Sequence, residues 1–110
     1  MIKVNIHDMF SMDGRIVYNS DFNTVRETKK LNNICLYSGI LFKDKHTNPI
    51  KYKNHDAVYL IVDGRASIES EDEIIKCHRH DIIFISNNMQ HIIVNTGDVH
   101  FKYLIMKEKV

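Results

Sequence analysis

"HDAVYLIVDGRAS", His55 to Ser67, holds an apolar run, an Asp-Gly pair and a second, alternating run. The Asp-Gly pair predicts a tight two-residue β turn, because a type I′ hairpin needs positive φ at both central positions and these residues tolerate it. On that reading Val58–Val62 and Arg65–Glu69 pair as antiparallel neighbours. "AVYLIV" is apolar at every position, which predicts a strand covered on both faces. The stretch opens on a histidine, an unusual start for a core strand.

Outward from this stretch, polar breaks recur every eight to ten residues: Asp63-Gly64, Glu69–Glu73, His78–Asp81, Asn87-Asn88 and Thr96–Asp98. Between them lie short runs rich in Ile, Val, Tyr and Phe: "DIIFIS", "HIIVN" and "VHFKYLIM". Short strands at this spacing predict an all-β sandwich or barrel. "ICLYSGILF", Ile34 to Phe42, reads as a further strand covered on both sides, by the N-terminal segment or by a second subunit. Near the N-terminus "IKVNI" and "GRIVYN" read as edge strands. "DFNTVRETKKLNN" lacks a clean amphipathic stripe and reads as an irregular or short helical connection.

The chain has 110 residues, one domain's worth. Residues 1–33 read as an N-terminal arm with strands, and 34–106 as the barrel core. Formal net charge is +1, too little to steer nucleic acid or an anionic membrane. No apolar run approaches the length of a membrane helix. "MIKVNIHD" shows no signal-peptide pattern, and Cys35 and Cys77 show no disulfide or metal spacing. Both are therefore expected as free thiols in the cytoplasm.

From Lys51 onward the order of residues resembles that of the cupins. The family's first motif is G-x5-H-x-H-x3,4-E-x6-G, and its second is G-x5-P-x-G-x2-H-x3-N. Anchored on Gly64, the first motif puts its glutamate at Ala57 and its two histidines at Lys53 and Lys51. Anchored on His91, the second puts its asparagine at Asn95, its glycines at Asn88 and His80, and its proline at Ser86. The resemblance spans Lys51 to Asn95 and keeps the spacings, while of the motif letters Gly64, His91 and Asn95 survive. It implies a double-stranded β-helix, or jelly-roll, barrel. In the family the two histidines, the glutamate and the second-motif histidine bind one metal. Here Lys51, Lys53 and Ala57 replace three of those donors, and a transition-metal site needs about three protein ligands. No metal or other cofactor is expected, and a metal held through His91 is disfavoured.

The candidate site residues follow from this register. His91 is the candidate catalytic acid or base. Lys51, Lys53, His55, Tyr59, His91 and Tyr103 are candidates for ligand binding. On a regular strand 51, 53, 55 and 57 share one face, which would turn both lysines and His55 toward the cavity. A cationic cavity suits a carboxylate, phosphate or sugar-phosphate. The competing readings are lysines that reach solvent on long stems, and a His55 at the barrel mouth bonded to backbone or to Asp56. His91 could equally be a satisfied core histidine, and Tyr59 and Tyr103 core residues with a polar end. Cys77-His78-x-His80 has the look of a metal tract and the competing reading of an exposed hairpin.

The expected function is a small-molecule-binding cupin without the usual metal, holding a polar or anionic ligand, in a homodimer. One alternative is an isomerase, epimerase, cyclase or lyase acting on a sugar or keto acid, with His91 as acid or base. Another is a structural or regulatory dimer whose barrel is filled by its own side chains.

Overall fold

The computed structural model describes residues 3, 5, 6, 10, 15–20, 23–30 and 33–108. Their strands are β1 (Arg15–Asn19), β2 (Asn23–Lys30), β3 (Ile34–Leu41), β4 (Ala57–Asp63), β5 (Arg65–Ser70), β6 (Ile74–His78), β7 (Ile82–Ile85), β8 (His91–Asn95) and β9 (Phe101–Glu108). They form two antiparallel sheets, one of six strands ordered β1-β2-β3-β9-β4-β7 and one of three ordered β6-β5-β8. The loop from Phe42 to Asp56 runs beside the smaller sheet, bridging His46 to Val94 and Ile50 to His91. This is the all-β barrel expected from the turn spacing, with the jelly-roll form that the resemblance to cupins implies. Among the described residues no helix is long and apolar enough to cross a membrane.

Alternation along each strand sends one row of side chains inward. Ala57, Tyr59 and Ile61 from β4 meet Phe101, Tyr103 and Ile105 from β9, and Ala66 and Ile68 from β5 face them with Ile93 from β8. Gly39 on β3 pairs with Tyr103. A Cβ at Gly39 would fall 2.4 Å from the Tyr103 ring, so only glycine lets that ring lie flat on the strand.

Several sequence expectations need correction. Asp63-Gly64 is not a hairpin. β4 pairs with β7 and β9, whereas β5 pairs with β6 and β8. The dipeptide is a corner at which the chain leaves one sheet for the other. Gly64 has φ of 88°, as expected, but Asp63 stays at ordinary negative φ. A short-range turn signal cannot distinguish these cases, because both place a left-handed glycine at position 64. At Gly64 an added Cβ would also press against His100 O at 3.0 Å and Phe101 Cα at 3.1 Å.

Residues 23–30 form strand β2, not a helical connection, paired on both sides by β1 and β3. In "NTVRETKK" Val25 is the one apolar residue, so both faces are polar and no period-2 signal shows. "GRIVYN" contains β1 as expected, while the expected strand "IKVNI" and His7 fall on or among residues outside those described. β4 alternates between buried and half-buried positions, so Val58, Leu60 and Val62 are only partly covered. Finally, Lys51–Asp56 is not a regular strand: β4 begins at Ala57, and Asn54 has φ of 63°. The face-sharing expected for 51, 53, 55 and 57 therefore fails.

Candidate functional site

Tyr59 and His91 are fully buried on facing strands, at 0% and 2% exposure. His91 Nδ1 lies 3.0 Å from the carbonyl of Met89. A carbonyl only accepts, so Nδ1 carries the proton and Nε2 is a bare acceptor. Tyr59 OH, 2.8 Å away, donates to that Nε2. Tyr52 OH, 2.9 Å from Tyr59 OH, then donates in turn. The result is a directed chain of hydrogen bonds, Tyr52 to Tyr59 to His91 to Met89 O. Burial lowers the His91 pKa, partly offset by the bond to Met89. Burial also raises Tyr52 to about 12 and Tyr59 well above its usual value. All three side chains are thus neutral near pH 7.

Tyr52 connects this chain to a pocket of about 320 Å³ at the barrel mouth. The pocket lies between the inner face of β1, β2, β3 and β9 and the loop carrying Asn48–Tyr52. Its walls include Val17, Val25, Ile50 and Ile105. Tyr103 and Asn23 form a polar corner, with Tyr103 OH donating to Asn23 Oδ1 at 3.5 Å.

Lys107 supplies the partly buried cation in this pocket, beside the exposed Lys51. Lys107 follows Phe101, Tyr103 and Ile105 on the inward row of β9. Its Nζ sits 4.9 Å from the ring centre of Tyr37 and 5.1 Å from that of Tyr52. No carboxylate among the described residues pairs with it. Burial lowers its pKa, and the two π faces favour the ammonium.

The candidates from sequence divide between the pocket and its surroundings. Lys51 and Tyr103 line it. Tyr59 and His91 lie behind it, joined through Tyr52. Lys53 is exposed and is not part of the lining. His55 packs on the ring of Tyr52 at 5.6 Å between centres, and its Nδ1 donates to Lys53 O at 2.8 Å. Its Nε2 is buried without a partner among the described residues. Asp56 instead accepts from the backbone and side-chain amides of Asn87. Sequence reading missed Lys107, Tyr37 and Tyr52. For Lys107 the signal was present, since it continues the period-2 row of "VHFKYLIM". For Tyr52 it was not, because its position depends on an irregular loop.

The metal implied by the resemblance to cupins does not fit the donors present. Lys51 and Lys53 are not at an inward pair of positions, Ala57 has no donor, and His91 Nε2 already accepts from Tyr59. Among the described residues no three His, Cys, Asp or Glu side chains gather closely enough to hold a metal ion. The tract Cys77-His78-x-His80 is split by burial. Cys77 points inward, donating to Ala66 O with its thiol pKa raised by burial to about 11, while His78 and His80 are exposed. Cys35 and Cys77 are both free and buried.

No protein-family model matches this sequence, and none of the curated proteins does. Solved structures do match. A cupin superfamily protein from Desulfitobacterium hafniense is 18% identical with a TM-score of 0.70, over 84% of this chain and 83% of that one. KdgF from a Halomonas species is 12% identical with a TM-score of 0.74, over 84% and 85%. The polyketide cyclase RemF from Streptomyces resistomycificus is 14% identical with a TM-score of 0.74, over 98% and 79%. At such identities the likeness is one of fold, and the fold is that of a small cupin.

Proposed function

We propose that this protein binds a small polar or anionic molecule in the pocket at the barrel mouth and does so without a metal. The observation that carries the reading is Lys107, a partly buried ammonium with two aromatic neighbours and no carboxylate partner among the described residues. A desolvated cation of this kind favours an anion beside it. Lys51 at the rim adds a second, solvent-screened charge. The test is thermal unfolding across a panel of small anions. A ligand that binds only the folded state raises the midpoint saturably. Lys107→Met should abolish the rise. Identical responses in wild type and variant would sink the reading.

The hydrogen-bond chain favours a second reading, an enzyme acting on a sugar or keto acid. A proton taken from substrate by Tyr52 O would be matched by Tyr52 passing its own to Tyr59, and Tyr59 its own to His91 Nε2. Activity would then fall in Tyr59→Phe with KM little changed, and would decline with pH as His91 protonates. Around Tyr59 and His91 the interior is filled by its own side chains, and the space for a ligand is the pocket at the mouth.

We also propose that the chain is a homodimer in the cytoplasm, where its two free thiols would stay reduced. On the outer face of the larger sheet, Phe84, Val58, Met106 and Leu36 lie side by side across four strands, and Phe84 is 78% exposed. In this proposal the row is the dimer interface, since contiguous exposed apolar surface is uncommon on a monomer. Sedimentation should show a dimer that Phe84→Glu converts to monomer. A wild-type monomer at high micromolar concentration would refute it.

A further inference from the structure

We infer that the occupant of the barrel mouth is an amphipathic carboxylate: a compact apolar or aryl body ending in one carboxylate that meets Lys107. This deepens the reading that the pocket holds an anion, and rests on it. Three observations narrow the class.

The first is charge. Among the described residues, Lys51 and Lys107 are the charged side chains of the lining, and no acid joins them. A cationic ligand would meet only repulsion. The second is the number of donors. Phosphates and polycarboxylates are usually held by several converging charged donors, often a guanidinium fork or backbone amides. This pocket offers one partly buried ammonium, flanked by Tyr37 and Tyr52. Lys51 is exposed and helps little. A dianion would lose more hydration than one ammonium returns, whereas a single carboxylate matches it in charge. The third is the wall. Val17, Val25 and Ile105 present aliphatic surface, while the amide groups are few. A sugar would strand its hydroxyls against that wall at a cost for each unpaired group. An alkyl or aryl body would gain about 25 cal/mol per Å² buried. A volume of about 320 Å³ lies at the small end for ligand sites, which limits the body to roughly one ring or a short branched chain.

The geometry also assigns Lys107 a specificity role that Lys51 does not share. Its ammonium lines the pocket and sits 4.9 Å and 5.1 Å from the ring centres of Tyr37 and Tyr52, so less side-chain freedom remains to be lost on binding. Lys51 would lose that freedom in full.

Isothermal titration with phenylacetate and 4-methylvalerate, against phosphate, citrate and glucose 6-phosphate, tests the class. The full chain should bind the first two at one per chain. Phenylacetate should bind at least tenfold more tightly than 2-phenylethanol, its uncharged counterpart, a comparison that needs no variant. Lys107→Met should weaken phenylacetate at least tenfold, and Lys51→Met less than threefold. If phosphate, citrate or the sugar phosphate binds through Lys107 and the apolar carboxylates do not, the class is wrong while the anion pocket stands. If no anion binds, or 2-phenylethanol binds as well as phenylacetate, Lys107 is not an anchor and both inferences fall.

Discussion

The two ends of the barrel use the same strands in opposite ways. At the closed end, Leu41, Ile61 and Phe101 pack at 0–1% exposure, and Asn95 ties three segments together. Its Nδ2 donates to the carbonyls of Leu41, Phe42 and Val99, and its Oδ1 accepts from the amide of Gly97. At the open end the same inward rows carry Tyr59, His91 and Lys107, and the wall opens into a pocket. The motif letters divide along the same line. Gly64 and Asn95, at the closed end, build the corner and brace the β8–β9 loop. The positions that would have held metal, 51, 53 and 57, belong to the open end, and there the letters are gone. His91 remains, as a hydrogen-bond acceptor for Tyr59. Scaffold and chemistry are thus separable along the two motifs: the glycine and asparagine that shape the closed end are present, while Lys51, Lys53 and Ala57 stand at the donor positions.

The contrast is most exposed to failure at Asn95. Asn95→Leu should cost about 3 kcal/mol or more in urea unfolding, since several buried carbonyls and one amide lose their partner together. A loss below about 1 kcal/mol would mean the closed end is held by apolar packing alone. Gly64→Val comes next, at about 2 kcal/mol or more, because a β-branched residue at positive φ would also meet backbone atoms at 3.0 and 3.1 Å. An unchanged thermal midpoint would show that the corner can relax. At the open end Tyr59→Phe should cost about 1–2 kcal/mol by leaving His91 Nε2 buried and unpaired.

pH sharpens the contrast further. Burial holds His91 below its ordinary value of 6.5, so on acidification the unfolded chain takes up that proton before the folded one does. The stability gained by keeping His91 neutral is therefore present near pH 7 and declines as pH drops below about 6.5, down to the folded pKa. In His91→Gln the decline should be shallower. Equal slopes would mean that other groups carry it. The smallest effect belongs to Lys53, which is exposed and off the pocket: Lys53→Met should change stability by less than about 0.5 kcal/mol and leave any anion response intact.

The legibility of the sequence followed from how local each signal is. β7, β8 and β9 could be read because apolar runs bounded by polar turns form a short-range pattern. β2 could not, since pairing with β1 and β3 overrides the weak preferences of "NTVRETKK". Within the site, Tyr103 and His91 were legible from strand parity and motif spacing. Tyr52 and Tyr37 were not, because they meet across the cavity from a loop and a distant strand.

By itself, the sequence determined the all-β architecture, the left-handed glycine at position 64 and the residue types Lys51, Lys53 and Ala57 at the motif's donor positions, because turn chemistry, period-2 patterning and residue type are local properties. Only the tertiary structure decided that Asp63-Gly64 joins two sheets, that Lys51 and Lys53 turn to the rim and to solvent, and that Lys107 is the partly buried cation of the pocket. Those outcomes depend on which strands become neighbours and where an irregular loop folds back, and such long-range choices are made by burial and hydrogen-bond satisfaction over the whole barrel.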